Sequence, residues 1–338
     1  MSAAYAHYVA HETDSDWEGV RLHVVTGKGG TGKTTVAGAL ALALATGGRR
    51  VLLIEVEGRQ GIAQLFDVPP LDYNDRRIAS APDGGEVFGN ALDSEEALLE
   101  FLDMFYNLRR AGSALKKMGA IDFATTIAPG VRDVLLTGKT KEAVRRKSGG
   151  DYVYDAVVMD APPTGRITRF LNVNNEIADL AKTGPIRSQA DAVMAVIASP
   201  QTAVHVVTLL EEMPVQETGD AIAELTAEGL PVGAIIVNQV RIPLLSGVDQ
   251  QRALTHTLDL AQLAIDLESV GITANESTLA ALSSESADHA ERVALEDRER
   301  LTIAALSRPT YELPFRPDGI DPGSLYDLAE ALRDQGVA

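Results

Sequence analysis

The chain has 338 residues, 45% of them hydrophobic and 23% charged, ordinary proportions for one large or two smaller cored domains. Thirty Lys and Arg against 48 Asp and Glu leave a formal net charge of −18, which disfavours nucleic acid or an anionic membrane surface as the main partner. With no cysteine, disulfides, thiolate-bound zinc, iron–sulfur clusters and thiol nucleophiles are all excluded.

In chain order, residues 1–19 lack the basic start and apolar core of a signal peptide and read as an N-terminal extension. A short apolar strand is expected from Val20 to Thr26, then the glycine-rich Gly27 to Thr35, then a helix through the Ala/Leu run to Thr46. Gly47-Gly48 stops that helix, because glycine tolerates the left-handed conformation. The uncharged stretch Thr34 to Gly48 falls short of the roughly 20 residues needed to span a bilayer. A soluble, cytoplasmic protein is therefore expected. Val51-Leu52-Leu53-Ile54 is a continuous apolar run, as in a strand buried on both faces. Strand, glycine loop, helix and strand make one βαβ unit and favour a parallel sheet.

Further strands are predicted at Glu86 to Asn90, Ala156 to Asp160, Ala192 to Ala198 and Val232 to Asn238. Helices are predicted at Ser94 to Leu108, Ala203 to Glu211, Ser284 to Leu306 and Pro322 to Gln335. The expected fold class is α/β, a mainly parallel central sheet flanked by helices. Residues 20–338 read as one domain with helical insertions near 91–150 and 172–190. The Leu-, Met- and Phe-rich Leu98 to Met118 suits a promiscuous apolar client, but ordinary core packing explains the same spacing and is favoured. The six histidines show no ligand spacing, and His205 reads as a core or surface residue.

The strongest chemical signal is Gly27-Lys28-Gly29-Gly30-Thr31-Gly32-Lys33-Thr34, a complete G-x-x-x-x-G-K-[ST] between an apolar strand and a helix. The glycines let backbone N–H groups turn inward around phosphate oxygens, at the positive end of the next helix. Lys33 would reach the β- and γ-phosphates, and the Thr34 hydroxyl would ligate Mg²⁺. Lys28 adds a second ammonium beside the phosphates, the deviant Walker A form; a solvated loop lysine is its bland alternative. Asp160 ends an apolar strand, where a carboxylate lies beside such a loop and can hold Mg²⁺ through water. Ala161-Pro162-Pro163-Thr164-Gly165-Arg166 follows it and could sense the γ-phosphate.

GKGGTGKTT, MDAPPTGRITRFL and Ile236-Val237-Asn238-Gln239 together resemble the arsenite-pump and tail-anchored-protein-targeting (guided-entry) ATPases, in the deviant Walker A branch of P-loop NTPases. LDSEEALLEFL (92–102), APGVRDVLL (128–136) and Glu312-Leu313-Pro314-Phe315 extend the resemblance over nearly the whole chain. It implies that Gly27, Lys28, Gly29, Gly30, Thr31, Gly32, Lys33, Thr34 and Thr35 cradle ATP or ADP, with Thr34 and Asp160 organising Mg²⁺. Asn238 would hydrogen-bond adenine, and the backbone around Pro314 and Phe315 would complete the base pocket. Lys28 would act across a dimer interface closed by ATP, coupled to a hydrophobic client or a membrane partner.

Two departures bear on catalysis. Where the family has an Asp for the attacking water, followed by Pro-Ala, this chain has Glu57-Gly58-Arg59. Glu57 keeps the carboxylate one methylene further out, with a plain surface acid as the alternative, and Arg166 stands where the family usually has His. Absent cysteine also removes thiolate binding of arsenite and the zinc clip of eukaryotic-type targeting factors. The tail PGSLYDLAEALRDQGVA, with three acids and one Arg, is unlike a basic membrane helix. The reading is a Mg·ATP-dependent dimeric ATPase of targeting or chaperone type. The alternatives are a catalytically weak subunit pairing with a paralogous ATPase, in a heterodimer rather than a homodimer, and an anion-pump subunit that does not use thiols.

Overall fold

The computed structural model describes residues 17–106, 129–180 and 185–337. Its centre is an eight-stranded sheet built from β1 (Leu22–Gly27), β2 (Arg50–Glu55), β3 (Arg76–Ala81), β4 (Gly85–Ala91), β7 (Ala156–Asp160), β8 (Thr202–Thr208), β9 (Val232–Val240) and β10 (Thr310–Pro314). The order is β10-β9-β8-β1-β7-β2-β4-β3, parallel throughout except for β3, which pairs antiparallel with β4 at one edge. A small separate ribbon pairs β5 (Lys147–Ser148) with β6 (Asp151–Tyr152).

Alternation along the buried strands divides the apolar residues between two cores. Val51 and Leu53 of β2 face one core, whereas Leu52 and Ile54 face the other. The first core is closed by α1 (Lys33–Ala45), in which every residue from Val36 to Ala45 is buried, and by α11 (Pro322–Asp334) through Leu325, Leu328 and Leu332. The second is closed by α5 (Thr164–Leu180) and α6 (Pro185–Ile197), with Ile167, Phe170, Val193 and Val196 among its members. The remaining helices are α2 (Gly61–Leu65), α3 (Ser94–Tyr106), α4 (Pro129–Arg145), α7 (Glu212–Ala227), α8 (Gly247–Leu254), α9 (Leu260–Ser269) and α10 (Glu276–Ala304). Among the described residues no helix is long and apolar enough to cross a membrane.

Two sequence expectations are reversed. Ala192 to Ala198, expected as a strand, lies largely in α6, and Ala203 to Glu211, expected as a helix, lies largely in β8. Short apolar runs fit either period. Burial separates them: in 190–197 the fully buried positions Ala190, Val193, Val196 and Ile197 follow a helical stripe. By contrast, all of Thr202 to Thr208 is buried, and its β-branched Val204, Val206, Val207 and Thr208 suit a central strand. The edge strand β3 was not foreseen, because RRIASA carries one large apolar residue. Most of the segment Leu98 to Met118 lies outside the described residues.

Beneath the amino ends of the central strands, Trp17, His23 and His205 stack, with the Trp17 indole N–H donating to the Tyr311 hydroxyl at 2.7 Å. The Ala234 amide donates to His205 Nδ1 at 3.1 Å, so the neutral ring carries its proton on Nε2, facing His23 Nδ1 at 3.1 Å. Burial pushes the His23 imidazole down to about 3. His205 is thus a core residue.

Candidate functional site

Parallel strands all end at one edge of the sheet, and the chemistry-bearing residues gather there. β1 runs into the glycine loop and α1 follows it directly. Gly27 must lack a side chain, since a Cβ would lie 2.3 Å from the Val207 carbonyl oxygen. Gly32 caps α1 in the left-handed region (φ 83°), and a Cβ there would come 2.3 Å from Asn238 Nδ2. Thr31 donates its hydroxyl to the Lys28 carbonyl at 2.9 Å, and Lys33 Nζ reaches the same oxygen at 3.5 Å. The loop is therefore closed on itself, with the half-buried amino end of α1 beneath it. Thr35 lies in the first turn of that helix.

The Thr34 hydroxyl donates to Asp160 Oδ2 at 2.6 Å, joining the first turn of α1 to the end of β7. Burial pushes the Asp160 carboxyl up to about 6, with the nearby Glu55 and Glu57 adding to the rise and Thr34 and Lys33 opposing it. Burial likewise lowers Lys33, opposed by Asp160 and Glu57. A hydroxyl and a carboxylate side by side are hard oxygen donors, the set that Mg²⁺ prefers, so these two residues fit the cation.

The loop after β2 brings Glu57 to the same place. Glu57 forms ion pairs with Arg59 at 3.4 Å and Arg166 at 3.5 Å. These residues, with Arg132 and Asp133 of α4, rim a cleft of about 210 Å³. Lys28 points elsewhere, to Glu217 of α7 at 2.7 Å.

Asn238 is buried, and its side chain donates to the Thr31 carbonyl at 2.9 Å, so it braces the glycine loop from β9. Pro314 pairs with Val240 in the sheet, and the Phe315 amide donates to the Val240 carbonyl at 2.8 Å. The exposed Phe315 ring is covered by the Arg241 guanidinium at 5.1 Å. The structure thus gathers the glycine loop, Glu57, Asp160 and Asn238, while Pro314 and Phe315 lie beyond Asn238, against Val240.

Sequence reasoning missed Glu55 and Glu217. Glu55 carried a signal: an acid closing the buried run Val51-Leu52-Leu53-Ile54 is placed as Asp160 is, and the two are register partners across β2 and β7. Glu217 carried none, because its meeting with Lys28 depends on how α7 packs. Beyond β9, Ile242, Leu244, Val248, Ile265, Val270 and Ile272 are all exposed, and α9 buries no residue.

Residues 20–195 match the family model described as anion-transporting ATPase. ATPase BagA of Mycobacterium tuberculosis is 53% identical over 320 residues, 94% of each chain. ATPase GET3 of Kluyveromyces lactis is 24% identical over 251 residues, 64% of this chain and 71% of its own. A protein of Aquifex aeolicus, whose name refers to driving an arsenical pump, is 26% identical over 171 residues, 48% of this chain and 54% of its own.

Proposed function

The chain belongs to the anion-transporting ATPase family, that of the arsenite-pump and guided-entry ATPases, and from that premise we propose that it hydrolyses Mg·ATP as a nucleotide-closed dimer. The observation that carries this reading is the Thr34–Asp160 contact of 2.6 Å beside Lys33, a phosphate loop joined to a strand-end carboxylate. Thr34 and Asp160 would hold Mg²⁺, which when bound offsets the charge of the phosphates. The loop amides and Lys33 bind and orient the triphosphate, and Glu57 accepts a proton from the water that attacks the γ-phosphorus as the bond to the ADP oxygen breaks. Asn238, with the backbone at Pro314 and Phe315, contacts adenine.

Lys28 acts on the partner's nucleotide, which requires it to leave Glu217. The setting is cytoplasmic, in a single domain over residues 20–338. The work coupled to closure is the handling of a hydrophobic client or membrane partner. The exposed apolar side chains between Ile242 and Ile272 support that coupling. Sedimentation of the purified chain tests it: ATP with Mg²⁺ shifts monomer to dimer, Lys28→Ala weakens the shift, and oligomerisation indifferent to nucleotide sinks the reading.

A second reading, a weakly catalytic subunit paired with a paralogous ATPase, is favoured by the engagement of Glu57 with two guanidiniums. A stable complex with such a paralogue, combined with negligible turnover alone, would decide for it.

A further inference from the structure

Glu55 is a carboxylate at the end of β2 with 2% of its surface exposed, a burial that charged side chains reach only with partners. Its partners are two backbone amides of the loop that follows. Oε1 accepts from the Gln60 amide and Oε2 accepts from the Ile62 amide at 3.1 Å. Bonds to an ionised acceptor are the stronger kind, and here both oxygens are engaged on one short stretch of chain. Residues 56–59 are thereby closed into a loop with Glu55 at one end and Gln60 at the other, and Glu57 stands within it.

The far end of the loop is fixed independently. Gln60 adopts the left-handed conformation (φ 60°), uncommon for a residue with a side chain. Its side-chain amide donates to the Leu71 carbonyl at 3.0 Å and accepts from the Leu71 amide at 2.7 Å. A Cβ on Gly61 would lie 3.3 Å from Thr34 Cγ2, so this turn lies against the residue that meets Asp160. The loop is held to β2, to residue 71 and to the first turn of α1. Among the described residues Glu57 itself pairs with Arg59 and Arg166, whose side chains are 77% and 61% exposed, and exposed pairs hold a side chain weakly.

We propose that Glu55 is a positioning residue for hydrolysis: its carboxylate clamps the amides of Gln60 and Ile62 and so sets where Glu57 meets the attacking water. The proposal rests on the ATPase reading above and adds how a glutamate can serve at Glu57. The longer side chain requires its backbone to be placed for it, and Glu55 supplies that placement. Both of its carboxylate oxygens are occupied by the loop, so Glu55 acts through Glu57 and not on the reacting atoms.

The test compares the full-length chain with Glu55→Gln, Glu57→Gln and the double variant. Glutamine keeps the shape of Glu55, but its amide nitrogen cannot accept, so one of the two backbone bonds is lost. Amide hydrogen exchange at Gln60 and Ile62 should accelerate at least about tenfold in Glu55→Gln, while ATP affinity stays within about twofold. Because a misplacement of about 1 Å can cost roughly 10²-fold, kcat should fall about 10- to 100-fold with Kd for ATP unchanged. The double variant should be no slower than Glu57→Gln alone. Gln60→Ala, which removes the Leu71 anchor and leaves Glu55, should reproduce the kcat loss and covers the case in which Glu55→Gln does not fold. Unchanged exchange, unchanged kcat in both loop variants, or multiplicative losses in the double variant would each overturn the proposal. If the wild-type chain turns over no faster than Lys33→Ala, the ATPase reading fails and the positioning role fails with it, while exchange at Gln60 and Ile62 shows separately whether the clamp exists.

Discussion

The loop from Gly27 to Gly32 and the loop from Glu55 to Gly61 follow β1 and β2 on either side of β7, yet they are held differently. The first closes on itself through bonds to the Lys28 carbonyl, needs glycine where backbone or Asn238 approaches, and is braced from outside by Asn238. The second is closed by the buried carboxylate of Glu55 at its start and depends on partners beyond it, Leu71 for Gln60 and Arg166 for Glu57. A loop of the first kind is written into consecutive residues. A loop of the second kind is assembled by the fold.

The largest effect should come from breaking the self-contained loop. Lys33→Ala removes the ammonium aimed at the phosphates and should lower kcat by about 10²- to 10³-fold, the scale for losing one preorganised charge on a transition state. Measurement of ATP affinity on the same variant would show how much of the loss is binding. Gly32→Ala strains the left-handed cap and drives a Cβ towards Asn238. It should cost on the order of 1–3 kcal/mol of stability and weaken nucleotide binding at least tenfold, read by thermal melts and titration calorimetry.

Asp160→Asn separates function from stability. Burial holds the Asp160 carboxyl up at about 6 against an ordinary 3.8, so in the nucleotide-free fold its ionised form is penalised. A raised acid means that the folded state binds the proton more tightly than the unfolded chain. The penalty is therefore absent below about pH 4, grows between 4 and 6 and is complete above 6. The variant should be more stable than wild type by roughly 2–3 kcal/mol at pH 7 and by almost nothing at pH 4, while losing Mg·ATP turnover. Chemical denaturation at the two pH values checks the sign.

The smallest effect belongs to a surface contact. Glu217→Gln removes the partner of Lys28, and since the two side chains are 29% and 39% exposed, stability should change by less than about 0.5 kcal/mol. The ATP concentration that drives dimerisation should fall modestly, by no more than about twofold, because Lys28 is freed. A rise would show that the Lys28–Glu217 contact does not compete with the dimer.

The same contrast explains what was legible in the sequence. The βαβ unit, the parallel sheet and the gathering of the glycine loop with Asp160 followed from local pattern, since buried strands and a phosphate loop both occupy consecutive residues. The exchange of strand and helix at 192–211 did not follow. Ala192 to Ala198 and Ala203 to Glu211 are both rich in apolar residues, and only their packing separates a one-sided helix from a strand buried on two faces. At the site, Glu57 could be found by alignment of motif to position, whereas its holders could not. Arg166 lies more than a hundred residues away in sequence, and Leu71 enters through backbone atoms that no side-chain pattern marks.

Steady-state Mg·ATP hydrolysis by the purified chain, with Lys33→Ala as background and nucleotide affinity measured on the same sample, tests the central claim most directly. Turnover well above the variant, from a site shown to be occupied, is the predicted result: a chain that is an ATPase in its own right, with Glu57 serving the attacking water. Tight binding with turnover no greater than Lys33→Ala would contradict it and leave the nucleotide as a structural ligand of a partner-dependent subunit.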